Sequence, residues 1–153
     1  MSLLQPGSPL WTNRMLGVFR IVVGVLFIFH GTQKLFAFPA SQGGGAPYQL
    51  TSLMGFAGLL ELVGGAMIAV GLFTRPVAFL LAGQMAVAYF RAHFPRSFLP
   101  ISNGGELAVL FCFSYLYLMM AGAGAYSLDG MLDRGRKVQD PPRDANRPID
   151  RVA

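Results

Sequence analysis

The residues of this chain that can do chemistry stand where such types are rare. Arg20, His30, Lys34, Glu61, Gln84, Arg91 and Glu106 lie inside or at the ends of long runs of Leu, Val, Ile, Phe, Met, Ala and Gly. A charge at the centre of a bilayer costs about 2.5–3.5 kcal/mol even on a lenient scale, so such side chains face a protein interior and find partners. A carboxyl and an imidazole within reach of each other can relay a proton or hydrogen-bond a quinone carbonyl. His30 and Glu61 are therefore the catalytic candidates. Arg20, Lys34, Gln84, Arg91 and Glu106 are the candidates for binding. Buried ion pairs also fix helix register without doing chemistry, and Arg20 and Arg91 can snorkel to an interface.

Four apolar segments hold these residues, over about 15–38, 50–73, 76–94 and 105–124. Each is near the roughly 20 residues a helix needs to cross about 30 Å of hydrocarbon. The 153 residues are 54% hydrophobic and 12% charged. Soluble domains carry about 25% charged residues, so the composition points to the membrane. Continuous runs, rather than short alternating ones, argue for helices against a barrel. The expected fold is all-α: an integral membrane four-helix transmembrane bundle over residues 15–130. Residues 1–14 read as a flexible cytoplasmic lead and 131–153 as a disordered basic cytoplasmic tail. Residues 39–49, with Pro39, Gly43, Gly44, Gly45 and Pro47, read as a mobile outer loop. Thr74-Arg75-Pro76 reads as the tight link of a helical hairpin.

An even number of spans puts both termini on one side. That side carries Arg14, Arg75, Arg134, Arg136, Lys137, Arg143, Arg147 and Arg151, against Lys34, Arg91 and Arg96 on the other. The positive-inside bias places both termini of this multi-pass membrane protein in the cytoplasm. Topology and attraction to the anionic lipid bilayer account for the formal charge of +5, and no nucleic acid is called for. A cleaved leader ending near Ala37-Phe38-Pro39-Ala40 is disfavoured by His30 and Lys34 in its apolar stretch. Cys112 stands alone, which excludes an internal disulfide and a C-x-x-C redox pair.

Stripes on each segment tell which residues share a face. Gly17, Arg20, Gly24, Phe27, Gly31 and Lys34 recur at steps of three and four. Gly58, Glu61, Gly65 and Ala69 do the same on the second segment, and Gln84, Ala88 and Arg91 on the third. On the fourth, the stripe starts from Glu106 and runs through Leu110, Phe113 and Tyr117. Small residues on such stripes let helices approach closely, and they permit a homo-oligomer. At about 1.5 Å per residue, Glu61 and Gln84 fall near the midplane and His30 roughly 6 Å outward. Lys34, Arg91 and Glu106 fall roughly 10–12 Å outward and Arg20 about 9 Å towards the cytoplasm. Equal depth would gather His30, Glu61 and Gln84 centrally and pair Glu106 with Lys34 or Arg91 farther out.

Other chemistries fit less well. Haem ligation by His30 and His93 would bridge depths that differ by roughly 7 Å. The two histidines and Cys112 lie at three depths and make no zinc site, so no metal is expected. Gly43–Gly45 lacks the strand and helix of a nucleotide loop, and Ser114 has no evident base.

The motifs are nonetheless familiar in their order. Arg20-x3-Gly24-x2-Phe27-x2-His30-Gly31-x2-Lys34-Leu35-Phe36 resembles the first helix of the DoxX family. Gly58-x2-Glu61-x2-Gly64-Gly65 and Gly71-Leu72-Phe73-Thr74-Arg75-Pro76 are similar to its second helix and following turn. Asn103-Gly104-Gly105-Glu106-Leu107-Ala108 and Gly122-x-Gly124-x2-Ser127-Leu128-Asp129 extend the likeness, which covers roughly residues 15 to 130. The resemblance implies a four-helix inner-membrane protein of quinone-linked redox systems, in which this chain is a subunit or accessory. Electron transfer in such a system would need a redox-enzyme partner subunit or a bound quinone, because the chain supplies no electron carrier of its own. A non-catalytic anchor or assembly module, or a small transporter, are the alternative expectations.

Overall fold

Pro9 opens the first helix, at a position where a missing N–H leaves no bond unmade. The computed structural model describes residues 9–40 and 46–139. Helix α1 runs over Pro9–Phe36, 28 residues and so about 42 Å long. Helix α2 spans Leu53–Val70. Ser52 caps it by accepting the Gly55 N–H at 3.0 Å, and Gly71, at φ 71°, ends it in the left-handed conformation. Helix α3 covers Thr74–Ala88 and continues without a break into a π-helical turn, Tyr89–His93. The short α4, Pro100–Asn103, precedes α5, Glu106–Ala121, and α6, Leu128–Gln139. All regular structure among the described residues is helical.

The boundaries depart from the sequence reading at three places. Residues 9–14 belong to α1 and residues 131–139 to α6, so the helical part is longer than 15–130 at both ends. The link between α2 and α3 is Gly71–Phe73, and Thr74-Arg75-Pro76 forms the first turn of α3. The rest of the lead (1–8), the tail from residue 140, and residues 41–45 of the outer loop lie outside the described residues. By length and apolarity, α1 and α2 can each cross a membrane; α5, at 16 residues, is shorter.

Glycine decides how α1 and α2 pair. A Cβ at Gly24 would stand 2.6 Å from the Ala69 nitrogen and 2.8 Å from the Gly65 oxygen. At Gly31 it would stand 2.8 Å from the Gly58 oxygen. The two backbones are thus in direct contact along the stripe foreseen from the sequence. Gly24→Leu should force them apart and destabilise the fold by at least about 1–3 kcal/mol. Thermal unfolding of the detergent-solubilised variant checks this, and an unchanged midpoint would contradict the contact.

Between this pair and the helices α3 and α5 lies the apolar core. Val23 and Phe27 of α1 and Ile68 of α2 meet Leu81 and Met85 of α3, and Phe111, Tyr115 and Leu118 of α5. The Phe27 ring sits 5.1 Å from Phe111 and 5.0 Å from Tyr115. Outward, the same helices present Val22, Leu26, Phe29, Leu59, Val63, Phe79, Leu80, Leu110 and Phe113. So extensive an apolar exterior calls for lipid rather than water around it.

The interior face of α5 corrects one expectation. Ala108, Phe111, Tyr115 and Leu118 are buried, while Glu106, Leu110, Phe113 and Tyr117 are exposed. The helix is apolar all round, so its pattern carries no phase, and the assumption that Glu106 must face inward set the wrong one. Glu106 occupies the first turn, where a carboxylate suits the positive end of the helix dipole and still reaches water.

Candidate functional site

Two polar centres occupy opposite ends of the core, and one of them lines a cavity. The closed centre is built on Arg20, which is fully buried. Its Nε donates to the Ala123 oxygen at 2.7 Å. Nη1 donates to the Ile68 and Ala69 oxygens, both at 2.5 Å. Nη2 donates to Tyr126 at 2.8 Å and Ala125 at 3.3 Å. The Ile68 and Ala69 carbonyls lie in the last turn of α2, where the dipole favours a cation, and Ile68 also accepts the Gly71 N–H at 3.0 Å. Asp129 completes the junction, its two oxygens accepting the Phe73 N–H at 2.8 Å and the Thr74 N–H at 2.9 Å. The side chain of Arg20 therefore does not snorkel. It ties α1 to the end of α2 and to the α5–α6 connection.

The open centre begins with Lys34 and Glu61. Lys34 Nζ donates to Glu61 Oε2 at 2.5 Å, with side-chain exposures of 20% and 3%. This is the ion pair among the described residues, and it replaces the expected pairing of Lys34 or Arg91 with Glu106. The reason lies in side-chain direction. Cα–Cβ bonds tilt towards a helix N-terminus, so long side chains on antiparallel helices reach towards each other. Lys34 reaches back along α1 and Glu61 back along α2, and they meet across a turn that separates their Cα depths.

Gln84 joins them from α3. Its Nε2 donates to the Ala57 oxygen at 3.1 Å and to Glu61 Oε1 at 3.2 Å. Its Oε1 is buried and has no partner. His30 stands on the same side of α1 as Lys34, its ring edge-on to Phe111 at 5.6 Å between centroids. The expected central group of His30, Glu61 and Gln84 thus shares one site, with Lys34 added.

These four side chains line one cavity of about 710 Å³ among α1, α2, α3 and α5. Small-molecule sites commonly enclose roughly 300–1,000 Å³. Apart from them, the wall is mostly apolar, with Phe27, Leu60, Met85, Ala108 and Phe111 among its residues. Arg91 and His93 stand at one end. The π-helical turn is what delivers them, since an extra residue in the turn lets Arg91, Ala92 and His93 all border the cavity. Asn103 braces this same end from behind the wall, next to the lining residue Gly104, and nothing in the polar pattern singled it out. It is 4% exposed, donates to the Ser97 oxygen at 2.8 Å and accepts the Gly105 N–H at 2.7 Å. Its own carbonyl meets His93 Nδ1 at 3.1 Å. The Asn-Gly-Gly-Glu run, with Gly104 at φ 71°, was the available signal for this turn.

Of the site candidates, His30, Lys34, Glu61, Gln84 and Arg91 come together at the cavity, and Arg20 and Glu106 do not. The arrangement can hold a polar head beside a carboxylate, an ammonium and an imidazole while burying an apolar body.

A helical protein with an apolar exterior and one polar interhelical cleft is a membrane protein by its physics. The chain belongs to the DoxX family, whose profile matches residues 15–94. An uncharacterized protein of Haemophilus influenzae is 45% identical over 117 residues, 74% of this chain and 87% of the relative. An uncharacterized membrane protein of Mycobacterium tuberculosis is 27% identical, over 75% of this chain and 79% of its own length. A Bacillus subtilis protein named "Putative oxidoreductase CatD" is 25% identical, over 77% of this chain and 87% of its own length. No solved structure matches the chain.

Proposed function

We propose that this chain is a quinone-binding subunit or accessory of an inner-membrane oxidoreductase system. All four long helices cross the bilayer, with both termini in the cytoplasm. The observation that carries the reading is the Lys34–Glu61–Gln84 cluster on the wall of an otherwise apolar cleft. The relative named as an oxidoreductase supports it.

The residues present fit a quinone head. Lys34 has three N–H donors, one of them engaged by Glu61, and the others suit a carbonyl oxygen. The unpartnered Gln84 Oε1 suits a hydroxyl of the reduced form. A quinone bound there would supply the redox chemistry, with a partner subunit as the other electron carrier. This chain binds and orients the head at Lys34 and Gln84. Glu61 and His30 hold or pass the proton that must move with the electrons.

Glu61→Gln tests the proton role, because it keeps the shape and one of the two acceptor oxygens, facing Lys34 or Gln84, but cannot take up a proton. Positioned acid–base groups contribute about 10²–10⁴-fold to rate. Membranes of a null strain complemented with Glu61→Gln, at matched protein level, should therefore show less than about a tenth of the wild-type quinol-dependent electron transfer. Full activity in both Glu61→Gln and Glu61→Leu would rule the proton role out and leave the cluster a structural one.

A further inference from the structure

The cleft is not closed on its lipid side. Leu53 and Phe56 of α2, and Leu80 and Val87 of α3, line the cavity and are also between 54% and 61% exposed, or 62% for Leu80. These side chains therefore stand at a gap between α2 and α3 that joins the interior to the outer apolar surface. Nearer the Gly71–Phe73 turn the two helices touch, since a Cβ at Gly64 would stand 2.8 Å from the Leu81 side chain. At Gly83 the contact has gone. A Cβ there would meet no atom within 4 Å. Gln84, the next residue, spans the gap with its bonds to Ala57 and Glu61.

We propose that the site is loaded sideways from the bilayer, through the gap between α2 and α3 at Gly83, and that its ligand carries an alkyl or isoprenoid tail. The inference rests on the reading of the cleft as a ligand site and adds the ligand's class and route. Its support is continuity: one cavity of about 710 Å³ contains both the polar cluster and the lipid-facing gap. From a head seated against Lys34 and Gln84, the wall past Leu80, Gly83 and Val87 is apolar, and it leads out to the lipid-facing surface. Gly83 is then a specificity-determining position. A small residue there leaves the passage clear, since a Cβ meets no atom within 4 Å, and a large one narrows it.

The experiment uses the full chain in lipid nanodiscs and two probes with one benzoquinone head. One probe carries a decyl tail and the other has none. Affinity is expressed per mole fraction in the bilayer, so that partitioning alone gives no advantage. The tailed probe should bind wild type at least about tenfold more tightly than the tailless one. Gly83→Phe should weaken the tailed probe by about tenfold or more, while Gly83→Ala stays within about twofold of wild type. Matched thermal midpoints for the two variants separate a blocked passage from a damaged fold. Equal binding of both probes, or unchanged binding of the tailed probe to Gly83→Phe, overturns the lateral route and leaves the site itself standing. Binding of neither probe to wild type overturns both readings.

Discussion

Arg20→Met should be the most damaging single substitution in this chain. It removes five hydrogen bonds to backbone carbonyls at once and leaves those acceptors buried around an apolar side chain. Each buried acceptor left without a partner typically costs about 1–3 kcal/mol, so several lost at once should cost at least about 3–5 kcal/mol. For a chain of this size that corresponds to a fall of roughly 10 °C in the thermal midpoint. The readout is a fluorescence melt of purified protein in detergent. Arg20→Lys should recover little, because one ammonium cannot reproduce a fork that serves α2 and the α5–α6 connection together. A midpoint within a degree or two of wild type would mean that the junction is held by something other than Arg20.

The second large effect concerns the open centre, and there order of removal matters. Lys34→Met alone strands Glu61, which is 3% exposed, and should cost about 3–5 kcal/mol. Lys34→Met combined with Glu61→Leu removes both charges and should restore most of that stability, since replacing a buried pair by apolar residues is often neutral. Function should not return with stability. A stable, inactive double variant identifies the pair as a ligand site. A double variant as unstable as Lys34→Met would instead show that the pair mainly holds α1 to α2.

Much of this architecture is written in residue spacing. The Gly24–Gly31 and Gly58–Gly65 stripes name the contact faces of α1 and α2, because a close approach of backbones requires small residues at those steps. The gathering of His30, Glu61 and Gln84 follows from the same steps and a depth count. Three things lay beyond that reasoning. The Lys34–Glu61 pair depends on side-chain direction, which shifts each group by about a turn from its Cα and in opposite senses on antiparallel helices. The partners of Arg20 are backbone carbonyls of a helix end and a turn, and carbonyls leave no mark in a sequence. The buried face of α5 is not legible in the sequence, because a helix apolar on every side has no moment to set its phase. The π-helical turn that brings Arg91 and His93 to the cavity likewise has no residue signature in Tyr89–His93.

The central claim, that the Lys34–Glu61–Gln84 cluster is a quinone site, is tested most directly by what the protein carries out of its own membrane. Wild type and the Lys34→Met/Glu61→Leu variant are purified side by side in mild detergent, and quinone is measured per mole of protein and per mole of co-purified lipid. Wild type should hold close to one quinone per chain, enriched over the surrounding lipid, and the equally stable variant less than about a tenth of that. Equal quinone in the two preparations, or a wild-type quinone-to-lipid ratio no higher than that of the membrane, would contradict it.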